Sequence, residues 1–104
     1  MNTTTTDAPP NVALPPGADA DIWEGNPPRR VIFSEPRCVL NSTGDPLQSP
    51  LVTAQAIQRH DGTIESATVS VESPGDPGLT PAEARELAAL LLQTADQADV
   101  WATR

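Results

Sequence analysis

Lysine and tyrosine do not occur in the 104 residues, and cysteine, histidine and phenylalanine occur once each. A single cysteine, Cys38, closes no internal disulfide, so a reducing, cytoplasmic compartment is the expectation. With one cysteine and one histidine, His60, a zinc site would need carboxylates or a second chain. Asp19, Asp21 and Glu24 are spaced like part of a calcium loop, but Gly25 comes one place late and the closing acid is missing. No lysine follows Gly75-Asp76-Pro77-Gly78, so that segment is a turn and not a phosphate cradle. No cofactor and no metal are therefore expected. Arginine is the only base, six residues against fourteen acids, for a net charge of −8. That is too few cations to grip a phosphate backbone, so no direct nucleic-acid contact is expected. No apolar run approaches the roughly 18 residues that a membrane span needs. Met1 to Pro10 has neither the basic region nor the apolar run of a secretory signal.

What is present is unevenly distributed. Residues 1–26 carry −4, residues 27–60 carry +2 and residues 61–104 carry −6. Half of the twelve prolines fall before residue 29. The Thr3–Thr6 run, Pro9-Pro10 and Pro15-Pro16-Gly17 leave only Val12 and Leu14 as apolar anchors in that stretch. Ordering such a segment costs more entropy than two side chains return. Residues 1–21 are accordingly expected to form a disordered arm, and residues 22–104 a single domain beginning near Ile22 and Trp23.

Asp61-Gly62 lies between two runs of strand-forming residues, a strong hairpin signal. A two-residue turn would pair His60 with Thr63. Counting outward, Ala56 then meets Ala67, Ala54 meets Val69 and Val52 meets Val71. These six apolar residues share one face, and a slip of one residue would scatter them. Residues 51–60 and 63–72 are therefore read as an antiparallel hairpin. The competing reading is a helix over residues 49–60, capped by Ser49 with Pro50 at its first position. Upstream, residues 30–34 and 37–40 are short strand candidates. Pro36 between them donates no ladder hydrogen bond and marks a bulge, break or edge.

Thr80-Pro81-Ala82-Glu83 has the form of a capping box with proline at the first helical position. Beyond it Ala84, Leu87, Ala88, Leu91, Ala95, Ala98 and Ala102 recur at helical spacing, flanked by Leu90, Leu92 and Trp101. Arg85, Glu86, Gln93, Asp96 and Gln97 are placed on the far side. The fold class read from these patterns is α+β: a small antiparallel sheet of about three strands with one long C-terminal helix across the face of Val52, Ala54, Val69 and Val71.

The run Leu79-Thr80-Pro81-Ala82-Glu83-Ala84-Arg85-Glu86-Leu87-Ala88 after antiparallel strands resembles small actinobacterial proteins of uncharacterised activity, some from phage-like elements. The resemblance covers roughly the last half of the chain. It implies strands followed by a helix, and no activity.

A Ser-His-Asp or Cys-His arrangement would have to use His60, and Cys38 could meet it across strands with Asp61 as orienter. No local motif supports that arrangement, and no enzyme is expected. The expected function is a small protein-binding or regulatory module, with a second copy of the chain among the candidate partners. Trp23, Phe33, Leu90, Leu92 and Trp101 exceed what one helix on a thin sheet can hide, and Arg29 and Arg30 add a local cationic patch. Those seven residues are the candidate partner-binding set. The alternative is an acidic decoy of nucleic acid, motivated by the carboxylates after residue 60.

Overall fold

The computed structural model describes residues 12–75 and 77–104. Its elements are β1 (Ala18–Ala20), β2 (Arg29–Ser34), β3 (Arg37–Cys38), β4 (Leu51–Arg59), β5 (Ile64–Glu72) and α1 (Pro81–Ala102). All strand pairs are antiparallel: β1 with β2, β2 and β3 with one side of β4, and β5 with the other side of β4. Among the described residues the fold is α+β with one C-terminal α-helix, and the sheet has five strands rather than about three. Two causes raise the count. Pro36 splits the chain flanking one side of β4 into β2 and β3, and Ala18–Ala20 adds a strand beyond β2. Where the strand breaks, Ser34 Oγ accepts the Ala54 N–H at 2.9 Å in place of a backbone carbonyl.

Residues 51–59 are strand, so the helix reading of 49–60 fails. The burial of β4 alternates strictly: Val52, Ala54, Ala56 and Gln58 are buried, while their odd-numbered neighbours are not. A half-turned strand of this kind buries one face only.

The expected pairing of Ala56 with Ala67, Ala54 with Val69 and Val52 with Val71 is present. The hairpin reaches it by a different route. Gly62 N–H donates to Arg59 O and Arg59 N–H to Thr63 O, which makes a three-residue loop, with Gly62 at φ +91°. A type I turn followed by a left-handed glycine is the standard three-residue solution. This turn offsets the ladder by one residue. A bulge at Glu65 restores it, since Gln58 pairs with Ile64 while Ile57 pairs with Ser66. The bulge also turns Ile64, expected on the far face, into the core.

Helix α1 begins as its capping box dictates. Thr80 Oγ1 accepts from Glu83 N–H at 3.1 Å, and Glu83 Oε1 accepts from Thr80 N–H at 2.9 Å. Its buried face is rotated from the alanine stripe: Thr94, Ala98 and Trp101 are buried and Leu87, Leu90 and Leu91 half-buried, whereas Ala84, Ala88 and Ala102 are exposed. Large side chains set the rotation, because each buries several times the apolar area of an alanine methyl. Trp101, Ala98, Ile32, Ala54, Ala56 and Ile64 form the core, with Val69 and Ala67 packed against it. The helix thus covers the expected face of the sheet, although Val71 at its margin stays 49% exposed.

The described part of the expected arm, residues 12–21, is not a free arm: it contains β1 and packs on the domain. Residues 1–11 lie outside the described residues. From Val12 onward the chain lies along the domain, Pro15 is buried, and Pro16 O accepts from Trp101 Nε1–H at 2.9 Å. Backbone acceptors facing buried donors hold a segment that has few apolar side chains of its own.

Candidate functional site

Helix α1 covers one face of the sheet, and nothing among the described residues covers the other. On the open face β2 presents Arg29, Val31 and Phe33, which stand opposite Arg59, Ile57 and Gln55 of β4. Val31 is 43% exposed, and Phe33, Leu51 and Ile57 are half-buried. Across β5 the same face carries Ser66, Thr68 and Ser70. The open face therefore holds an apolar cluster of Val31, Phe33 and Ile57, with polar Thr53 and Gln55 beside it on β4 and only polar residues along β5.

At the hairpin end this apolar row runs into charge. Bulging pushes Glu65 out of the ladder, and both its oxygens accept from Arg29 Nη1 at 2.9 Å. Arg59 Nε lies 4.0 Å from the same carboxylate. A shallow pocket of about 200 Å³ opens beside Val31 and Ile57, walled by Glu24, Gly25, Arg29 and Arg30. At the turn itself Asp61 accepts from Thr63 Oγ1 at 2.6 Å and Thr63 N–H at 2.9 Å, which holds its carboxyl below the ordinary value.

The seven expected partner-binding residues separate into four groups. Arg29 and Phe33 share the open face. Trp23 and Arg30 meet each other, with the guanidinium 4.3 Å from the ring centroid. Arg30 also donates from Nε to Gln58 Oε1 at 2.8 Å and from Nη2 to Val12 O at 3.1 Å, and its partial burial lowers its pKa. Leu92 is 70% exposed on the outer side of the helix, while Leu90 leans inward. Trp101 has no exposed surface and is a core residue, not a docking residue. The long side chain that the helix pattern placed on a shoulder is the one that anchors the helix to the sheet.

Several residues that organise this region carry no sequence motif. Gln58 is fully buried; its Nε2 donates to Ala13 O at 3.0 Å and to Gly62 O at 3.2 Å. It joins the N-terminal segment, the hairpin turn and Arg30 at one point. Arg37 on β3 donates to Thr94 Oγ1 and Gln97 Oε1, both at 2.9 Å, and so fastens β3 to the helix. Gln97 accordingly faces the sheet rather than the solvent side expected for it. Strict alternation in β4 could have flagged Gln58, since it holds an inward position.

Cys38 pairs with Leu51 at one end of β4, and His60 follows the other end. Nine residues of extended chain separate those ends by about 30 Å. The fold does not bring this nucleophile and base together. Among the described residues no three of His, Cys, Asp and Glu lie close enough to share a metal ion, and no helix is long and apolar enough to cross a membrane. No protein-family model matches this chain, and neither a curated protein nor a solved structure matches it.

Proposed function

We propose that this chain is a small protein-binding module, without catalytic chemistry of its own, that docks a protein partner on the open face of its sheet. The observation that carries the reading is the apolar row of Val31, Phe33 and Ile57, bordered by Arg29, Glu65 and Asp19. An antiparallel sheet with one solvated face normally alternates apolar and polar residues. Here β2 and β4 place apolar residues on both faces, as a docking patch with a charged rim does. The separation of Cys38 from His60 along β4 supports the non-catalytic reading.

The protein-binding reading is preferred to an acidic decoy on charge spacing. Helix α1 carries its acids as two pairs, Glu83 with Glu86 and Asp96 with Asp99, and about 15 Å of helix between Glu86 and Asp96 has none. A mimic of duplex DNA needs a negative charge every few ångströms along its length.

The test is affinity capture from the organism of origin with three baits: the wild-type chain, Val31→Glu and Phe33→Glu. Partners retained by the wild type and lost from both variants are expected, with circular dichroism showing that the variants stay folded. Val31 is exposed enough to accept a carboxylate, so that variant keeps the test usable if Phe33→Glu unfolds. Equal capture by all three baits would refute an open-face site.

A further inference from the structure

The sheet has one long, unguarded edge. Strand β5 spans nine residues and pairs only with β4, so its outer side has no partner strand among the described residues. By contrast, β1 at the opposite margin spans three. An open edge is a template for another strand, and proteins blunt such edges with lysine, proline, inward charge or very short strands. Between Ser66 and Val71 β5 has none of these guards: the segment reads Ser-Ala-Thr-Val-Ser-Val. Its one irregularity, the bulge at Glu65, sits at the end.

We propose that two copies of this chain join through β5, antiparallel and edge to edge, about a two-fold axis through Thr68, to form one continuous sheet. This adds a second surface to the protein-binding reading and does not depend on the open face. A second copy is chosen as occupant because the strand is complementary to itself. Opposed residues in an antiparallel pair share a face. With the axis at Thr68, Ala67 stands opposite Val69 of the second copy on the helix side. Ser66 stands opposite Ser70 on the open side, and Thr68 opposes its own mate.

The bulge then decides what happens at the ends of the seam. It brings Ile64 opposite the second copy's Val71, so that the half-exposed valine gains an apolar neighbour. It also brings Thr63 opposite the second copy's Glu72. Arg59 is already drawn to that point, since its Nη1 donates to Thr63 Oγ1 and to Ile64 O, both at 3.3 Å. Arg59 and Glu72 both belong to the open face. An incoming Glu72 therefore meets a guanidinium, and the two-fold axis repeats the contact. No carboxylate opposes another across the seam, since Glu65 is engaged with Arg29 on its own sheet.

Sedimentation of the full chain over a wide concentration range tests the pairing. A monomer–dimer equilibrium is expected. Thr68→Lys puts two ammonium groups on the axis and is expected to abolish the dimer while circular dichroism remains unchanged. Glu72→Arg and Arg59→Glu are each expected to weaken it roughly tenfold, as befits two exposed ion pairs turned repulsive. Their combination is expected to restore it. That rescue keeps the test valid should Thr68→Lys fail to fold. A chain that stays monomeric throughout, a dimer indifferent to Thr68→Lys, or charge variants that do not rescue one another would each overturn the pairing. So would a monomeric chain whose β5 amides respond to an added extended peptide, since the occupant would then be a foreign strand. A monomer leaves the open-face reading untouched, and loss of partner capture leaves this pairing untouched.

Discussion

Gln58 sits at the inward position of a strand where the neighbouring inward residues are Ala56 and Ala54, and it has no exposed surface. Its amide oxygen accepts from Arg30 and its amide nitrogen serves two backbone carbonyls. Such a group is worth little while satisfied and costs a great deal when its partners are stranded. Gln58→Leu keeps a buried side chain of similar bulk but leaves the Arg30 Nε donor and the Ala13 and Gly62 acceptors without it. The expected loss is about 3 kcal/mol or more in urea or guanidinium unfolding, for three stranded groups at roughly 1–3 kcal/mol each. A loss within about 0.5 kcal/mol would mean that water replaces the amide. At this scale the sequence is legible where a residue type has one dominant use. Thr80 and Glu83 announce a cap, and Pro36 announces a break. Gln58, Arg37 and Thr94 are not legible, because a glutamine, an arginine or a threonine suits a surface equally well. Only the positions of their partners, far away in the chain, reveal their use.

The hairpin shows what sequence patterning can and cannot give at the scale of an element. Register follows from which face must be buried, and the six apolar residues from Val52 to Val71 define that face without any knowledge of the turn. Turn type does not follow with the same force, since Asp-Gly suits both a two-residue and a three-residue loop. The two irregularities, a longer turn and an extra residue at Glu65, cancel along the strand and matter only between residues 58 and 65. There they change which side chains face the core, as Ile64 demonstrates. Gly62 is the conformational requirement of this solution: φ is +91°, and a Cβ there would touch only Val12, at 3.8 Å. Gly62→Ala therefore tests backbone strain with little steric interference. The expected destabilisation is about 1–2 kcal/mol, the cost of holding an L side chain in the left-handed region. Thermal unfolding should register it as a lower Tm, and an unchanged Tm would imply that the turn relaxes to another loop. The helix teaches the complementary point. Its ends are written in short-range chemistry, while its rotation depends on Trp101 and on Arg37 reaching across from β3, which periodicity alone cannot weigh.

The boundary of the domain is a property of the whole molecule, and composition places it too late. Proline-rich, acidic sequence up to residue 21 reads as a free arm because it has almost no apolar area to bury. Yet Pro16 O, Val12 O and Ala13 O are the acceptors for Trp101, Arg30 and Gln58, and β1 completes the sheet beside β2. The segment is held by backbone groups, whose placement owes nothing to side-chain hydrophobicity. Removing residues 1–21 would strand three partly or fully buried donors at once and expose the flank of β2. With each stranded group costing roughly 1–3 kcal/mol, the loss is large against a total stability of about 5–15 kcal/mol. The truncated chain is expected to lose more than about 10 °C in Tm, at about 4–8 °C per kcal/mol for a domain of this size. Removing residues 1–11 alone keeps every one of these contacts and is the matched control. Equal stability of the two truncations would show that the carbonyls of residues 12–16 are replaceable by solvent. A Tm gap between them would place the working start of the domain at Val12 rather than Ile22.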